Sequence, residues 1–259
     1  YCDCHTADEA DPVACADEAE RVVEELGYDA LKFDLDVPSG HEKDRANRHL
    51  RGVEIDHKVS IVEAVTERVG HRADVAFDCH WTFSGGSAKR LAEALEPYDV
   101  WWLEDPVPPE NHDVQREVTQ STSTPIGVGE NVYRKHGQRR LIENQAVDII
   151  APDMPKVGGM RETRKIADLA DMYYIPVAMH NVASPIATMG SVHVGAAIPN
   201  SLAVEYHSYE LGWWEDLVEE DLIEDGYIEV PEKPGLGVTL DMDAVEEHMV
   251  DGETLFDEA

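Results

Sequence analysis

Three short apolar runs, VAFD (75–78), VWWLE (100–104) and IGVGE (126–130), each end on a carboxylate, and Asp78, Glu104 and Glu130 follow one another at intervals of 26 residues. That interval holds one strand, one helix and two loops, the repeat of a (β/α)8 barrel of the TIM type. Barrels of this kind carry their reactive groups at the C-terminal ends of the strands, so acids at three successive strand ends converge on one region. Their repulsion is tolerable there only with a cation between them, and carboxylate oxygens are the ligands that hard divalent ions take.

The repeat extends in both directions. Asp153 ends DIIAPD 23 residues after Glu130, His180 ends IPVAMH 27 further on, and Glu205 ends LAVE another 25 on. Upstream, YDALKFD ends at Asp34 and YCDCH opens the chain, which makes eight candidate strands. Between them lie stretches such as DPVACADEAERVVEELG (11–27), SAKRLAEALEPY (87–98), RKHGQRRLIENQ (134–145) and GMRETRKIADLADMY (159–173), whose apolar residues recur at helical spacing. Strands alternating with helices over short connections predict a parallel α/β fold. An open doubly wound sheet is the rival, but polar ends on seven successive strands suit a closed ring better than a sheet with one switch point.

The chain has 259 residues, the usual size of one such barrel, and a formal net charge of −33. The acids are spread through the helices rather than gathered in a tail, and Lys is scarce at 8 against 13 Arg. A solvated acidic shell of this kind suits a cytoplasm at very high salt, where self-repulsion is screened. With no basic patch to neutralise phosphates, nucleic acid is excluded as a partner, and no apolar run approaches membrane-spanning length. Cys2, Cys4, Cys15 and Cys79 form no CxxC pair and are expected as reduced thiols. Tyr1 stands inside the first strand with no initiator Met before it, so we expect further sequence upstream.

KFD (32–34), FDCH (77–80), WLEDP (102–106), GVGEN (127–131), PDMPKVGG (152–159), MHN (179–181) and VEYH (204–207) occur in this order at barrel spacing. Together they resemble the enolase superfamily, and within it the mandelate racemase subgroup, over nearly the whole chain. The resemblance implies Mg²⁺-assisted removal of the proton α to a carboxylate, giving an enediolate. It also implies an N-terminal α+β capping domain, absent from this chain, that closes the barrel mouth. Residues 1–228 would be the catalytic barrel. The segment 229–259, with YIEVPEKPGLGVTLDMDAVEEH at 227–248, would pack back against the cap.

Asp78, Glu104 and Glu130 match the metal ligands of that family, and Asp153 and His180 match its Asp–His dyad. A carboxylate on one ring nitrogen fixes the tautomer and raises the basicity of the other, so His180 is the expected base. Lys32-x-Asp34 departs from the Lys-x-Lys of the racemases, which makes two-base racemisation doubtful. Period-two geometry puts Lys32 and Asp34 on one side of the strand. Lys32 then either touches the substrate carboxylate or pairs with Asp34. His80, two residues beyond Asp78, is aimed at the same site, and Asp-x-His resembles the acid sugar dehydratases of the subgroup, where a second His helps a β-hydroxyl leave. Glu205 matches the strand-eight acid that hydrogen-bonds the substrate carboxylate in its enediolate form. Asn181 is a weaker polar candidate. The polar stretch PSGHEKDRANRHLRG (38–52) offers Arg45, His49 and Arg51 to a polyol, although an ordinary surface loop would have the same composition. Trp81 would wall the mouth, and the Trp213–Trp214 pair suits packing.

The expected function is dehydration of an aldonic acid such as gluconate, xylonate, arabinonate or galactonate to a 2-keto-3-deoxy acid. The expected partners are a small-molecule sugar acid and further copies of the chain in a homo-oligomer. A racemase or epimerase of a hydroxy acid is the alternative and would need a second base. A non-catalytic barrel is the third reading, and failure to bind Mg²⁺ in high salt would favour it.

Overall fold

Eight parallel strands lie side by side in chain order, β1 (Cys2–Asp3), β2 (Ala30–Asp34), β3 (Asp74–Asp78), β4 (Leu103–Glu104), β5 (Ile126–Val128), β6 (Ile149–Ile150), β7 (Val177–Met179) and β8 (Ser201–Val204). The structure, a computed structural model, describes residues 1–44, 46, 48–206 and 212–253. The ring closes just past β8, where the Tyr206 N–H donates to Tyr1 O at 2.9 Å and Cys2 pairs with Tyr206 in parallel. The helices are α1 (Pro12–Glu25), α2 (Gly52–Val69), α3 (Gly85–Leu95), α4 (His112–Thr119), α5 (Arg134–Glu143), α6 (Met154–Val157), α7 (Met160–Asp171), α8 (Pro185–Ala197) and α9 (Met242–Glu247).

Local chemistry sets the helix starts. Asp11 caps α1 by accepting from the Val13 N–H, with Pro12 in the first turn, and Glu54 returns a bond to the Arg51 backbone N–H at the start of α2. Five of the helices, α2, α4, α6, α8 and α9, lie outside the stretches quoted above for helical spacing. Apolar residues on several sides blur the period of α8, and α6 is a single turn.

The strands divide their side chains by the two-residue period of the pleat. Leu31, Phe33, Val75, Phe77, Leu103, Val177 and Met179 belong to the main core that the strands share with the helices. The alternate residues Ala30, Ala76, Trp102 and Ala178 form a separate cluster with Tyr1 and Ile149. Two residues further along β2, β3, β4 and β7 on that face come Lys32, Asp78, Glu104 and His180, all buried. The small alanines leave room for the Trp102 indole, which fills the ring beneath the acids.

In the polar approach to α2, Arg51 pairs with Glu54. Arg45 lies outside the described residues. At the far end of the chain, Trp213 stacks on His248 at 4.0 Å between ring centroids, a packing role. His193 on α8 bonds Leu236 O, so the chain at Leu236 touches the barrel's flank, and Glu220 accepts from Lys233 and Thr239. All four cysteines are free and buried. Among the described residues no helix is long and apolar enough to cross a membrane.

Candidate active site

At the C-terminal end of the ring the expected residues come together. Single ligand atoms from Asp78, Glu104 and Glu130 all lie within 4.8 Å of one another, and the three residues are 0%, 0% and 5% exposed. Each is held by neighbours. Trp102 Nε1 donates to Glu104 Oε2 at 2.9 Å, Asn131 Nδ2 donates to Glu130 Oε1 at 2.7 Å, and the His80 backbone N–H donates to Asp78 Oδ1 at 2.8 Å. Burial pushes the Glu104 carboxyl up to about 8 despite the pull of Lys32. Glu104 Oε1 and both oxygens of Asp105, the next residue, are buried without a hydrogen-bond partner. Buried carboxylate oxygens left in this state are costly unless a cation or its water shell meets them. The all-oxygen donor set therefore fits a hard divalent cation.

Lys32 departs from one of its two expected roles. It does not pair with Asp34. Its Nζ turns inward, 3.3 Å from Asp78 Oδ2, 3.5 Å from Glu104 Oε2 and 2.5 Å from Glu205 Oε1. Burial opposes its charge, yet Glu104 and Glu205 hold the ammonium well above its usual range. The physical reason is depth. Lys32 is 2% exposed among Asp78, Glu104 and Glu205, each fully buried, whereas Asp34 is only half-buried.

Asp153 and His180 form the expected dyad, with Nδ1 to Asp153 Oδ2 at 2.8 Å, and the other Asp153 oxygen caps α6 by accepting from the Lys156 N–H. His180 Nε2 is 2.8 Å from Glu130 Oε2 and 3.8 Å from Glu205 Oε2. Burial works against a charged His180, but Glu205, Asp153 and Glu130 keep the imidazolium well above its ordinary range. Burial likewise opposes the Glu130 carboxylate, and its bond from His180 overcomes that and holds it at about 2. Glu205 Oε2 accepts the Asn181 backbone N–H at 2.7 Å, while the Asn181 side chain bonds Thr188 and Glu205 O and so braces the strand end.

His80 adopts φ +41° and Trp81 φ +51°, left-handed backbone for both. The loop after β3 is stitched to the one after β4 by Cys79 N–H to Glu104 O and Trp81 N–H to Asp105 O. His80 Nδ1 is 3.2 Å from Asp36 Oδ1 and 3.8 Å from Asp34 Oδ1, and Nε2 is 3.7 Å from Asp78 Oδ2. Burial disfavours its charge, but these acids raise it to about 10, while burial brings Asp34 up to about 7. Trp81 stands edge-on to the His80 ring and is 36% exposed, at the mouth.

A cavity of about 240 Å³ joins these groups, lined by Lys32, Asp34, His80, Glu130, His180 and also His5. His5 and Asp36 were not singled out from the sequence. His5 stands just past β1, with Nε2 3.3 Å from Asp3 and Nδ1 2.9 Å from Glu9. The two-residue alternation Asp34-x-Asp36 was the available signal for Asp36. A larger cavity, about 560 Å³, lies among Tyr28, Ala30, Trp101, Leu202 and Tyr227 and includes none of the three acids.

Comparison with known proteins agrees with this geometry. A family model described as enolase C-terminal domain-like matches residues 14–244. The chain is 82% identical over 259 residues to a D-xylonate dehydratase of Haloferax volcanii, covering 100% of this chain and 63% of that protein. It is 30% identical over 241 residues to a D-gluconate dehydratase of Thermoproteus tenax, covering 92% of this chain and 47% of the relative. Among solved structures, a mandelate racemase/muconate lactonizing enzyme-like protein of Rubrobacter xylanophilus superposes with a TM-score of 0.91 at 40% identity, over 99% of this chain and 70% of that one. The chain thus spans less than two thirds of the length of either dehydratase. With the acid cage, the Asp–His dyad and the parallel ring in place, the chain belongs to the enolase C-terminal domain-like family of the enolase superfamily.

Proposed function

We propose that the protein dehydrates an aldonic acid, with D-xylonate the first candidate, to the corresponding 2-keto-3-deoxy acid. The observation that carries this reading is that two histidines on different strands, His180 and His80, line one cavity beside the cage of Asp78, Glu104 and Glu130. The 82% identity to a D-xylonate dehydratase supports the choice of substrate.

The three acids would hold Mg²⁺, which supplies Lewis-acid stabilisation of the charge that grows on the substrate carboxylate. Lys32 and Glu205, in contact with each other inside the ring, would take part in binding that carboxylate. Once Nε2 is released from Glu130 and has lost its proton, His180, oriented by Asp153 through Nδ1, takes the C2 proton on Nε2. His80, as the imidazolium, gives its Nε2 proton to the departing C3 oxygen. The C3–O bond then breaks, the C2=C3 double bond forms, water leaves, and the resulting enol tautomerises to the 2-keto acid. The same proposal includes a homo-oligomer, which the family resemblance suggests, and a salt-loaded cytoplasm, for which the net charge of −33 is the support. It also takes 1–228 as the catalytic barrel and 229–259 as a segment returning to a capping domain.

The test is a panel of aldonic and aldaric acids with Mg²⁺ in molar KCl, scored for 2-keto acid by semicarbazone absorbance. Product from D-xylonate is expected. Solvent deuterium entering C2 without keto acid would replace dehydration by epimerisation.

A further inference from the structure

Asp36 has no part in the mechanism above, yet its position is determined by the sheet. Strands β2 and β3 run in register with Asp34 beside Asp78. The pairing continues past the strand ends, where the Leu35 N–H donates to Asp78 O at 2.6 Å. Two residues on along each chain, Asp36 therefore comes beside His80. Its Oδ1 is 3.2 Å from His80 Nδ1, within hydrogen-bond reach, whereas the Asp34 oxygen stands at 3.8 Å from the same nitrogen. Asp36 is not among the residues lining the cavity that His80, Asp34 and His180 share. It meets the ring from behind, and the nitrogen left toward Asp78 and the cavity is Nε2.

The ring needs such a hold. His80 sits at φ +41°, a left-handed conformation uncommon for a residue with a side chain, and its side chain is only partly enclosed. On one side it has the edge of Trp81. A carboxylate on Nδ1 fixes both the rotation and which nitrogen bears the fixed N–H.

We propose that Asp36 is the positioning residue of His80, keeping Nδ1–H bonded to its carboxylate so that Nε2 faces the leaving C3 hydroxyl. The inference rests on the dehydration reading. Nothing is transferred to Asp36: the Nδ1–H proton remains between the ring and the carboxylate, while the Nε2 proton leaves with the hydroxyl as water. Dehydration and C2-proton exchange are thereby separable, because exchange needs only His180 and its dyad.

The experiment compares wild type, Asp36→Ala and Asp36→Asn, each loaded with Mg²⁺ in molar KCl. Three quantities are read: 2-keto acid formation from D-xylonate, C2 deuterium uptake by NMR, and the ¹⁵N shift of His80 Nδ1, assigned with His80→Asn. Asp36→Ala is expected to lower kcat for keto acid by about 10–100-fold with little change in KM, the range for losing a carboxylate that orients a working histidine. Deuterium uptake should stay within about twofold of wild type. Asp36→Asn, which keeps an acceptor oxygen, should recover most of the loss. A parallel fall in uptake and dehydration, or no change in either, would overturn the assignment. If wild type forms no keto acid from any acid tested, the dehydration reading fails instead. The ¹⁵N shift then decides the contact: a protonated-type Nδ1 signal lost in Asp36→Ala supports it, and an unchanged signal overturns it.

Discussion

His180 and His80 line the same cavity but lean on different carboxylates, and the chemistry proposed for each follows from that difference. His180 has Asp153 on Nδ1 and Glu130 on Nε2, so its reactive nitrogen becomes available only when Glu130 is engaged elsewhere. His180→Asn should abolish deuterium uptake at C2, whereas His80→Asn should spare uptake and slow keto acid formation by about 100-fold or more, as read by NMR and semicarbazone assay. His5, on the wall of the same cavity, offers a test of stability. Its bonds to Asp3 and Glu9, against the opposing effect of burial, raise it from 6.5 to about 10. A raised folded-state value means that its contribution to stability is complete below about pH 6.5 and is lost as pH rises toward about 10. The difference in urea midpoint between wild type and His5→Gln should therefore be larger at pH 6 than at pH 10.5. An equal difference at both values would show that the imidazolium contributes nothing.

Among the elements, β5 shows how closely the ring interior is fitted. A Cβ on Gly127 would stand 2.8 Å from Trp102 Cδ1, and Trp102 is fully buried, so the indole would have to move. That indole donates to Glu104 from below. Gly127→Ala should thus destabilise the protein by about 1–3 kcal/mol, the usual range for overpacking a core, and weaken Mg²⁺ binding at the same time. Denaturant midpoints in molar KCl and calorimetric titration of Mg²⁺ check the two effects separately. Loss of stability with unchanged Mg²⁺ affinity would mean that Trp102 fills space without supporting Glu104. The turn after β3 is under comparable constraint, since His80 and Trp81 both have positive φ and Trp81 is tied to the loop after β4.

For the molecule as a whole, charge governs the response to salt. A net charge of −33 on 259 residues repels itself over a screening length of about 10 Å at 0.1 M salt but only about 3 Å at 1 M. The melting temperature should fall on dilution from molar KCl to about 0.1 M, and a melting temperature insensitive to KCl would remove the self-repulsion argument. The Mg²⁺ proposed for the acid cage would act at one point instead of over the surface. At about 100 times its dissociation constant it should add about 2.7 kcal/mol of stability. Chelation should reverse that gain, and Glu104→Gln should eliminate it.

The eight-strand repeat, the three acids and the Asp153–His180 pair were legible in the amino-acid sequence because each depends on short-range rules. The pleat puts every second residue on one face, and one strand–helix unit returns the chain to the same end of the ring after 23 to 27 residues. Helices α6 and α8 were less legible, because a single turn or burial on several sides leaves no clean period, and α4 buries only Gln115 and Val118, one of them polar. The partners of Lys32 and the contact between Asp36 and His80 were decided only by the tertiary structure. Residues 36 and 80 are 44 apart in sequence, and only the register of β2 against β3 brings them together. Lys32 had several acids within reach, and the fold selected the three deepest because burial in the ring makes their charge the most in need of neutralisation.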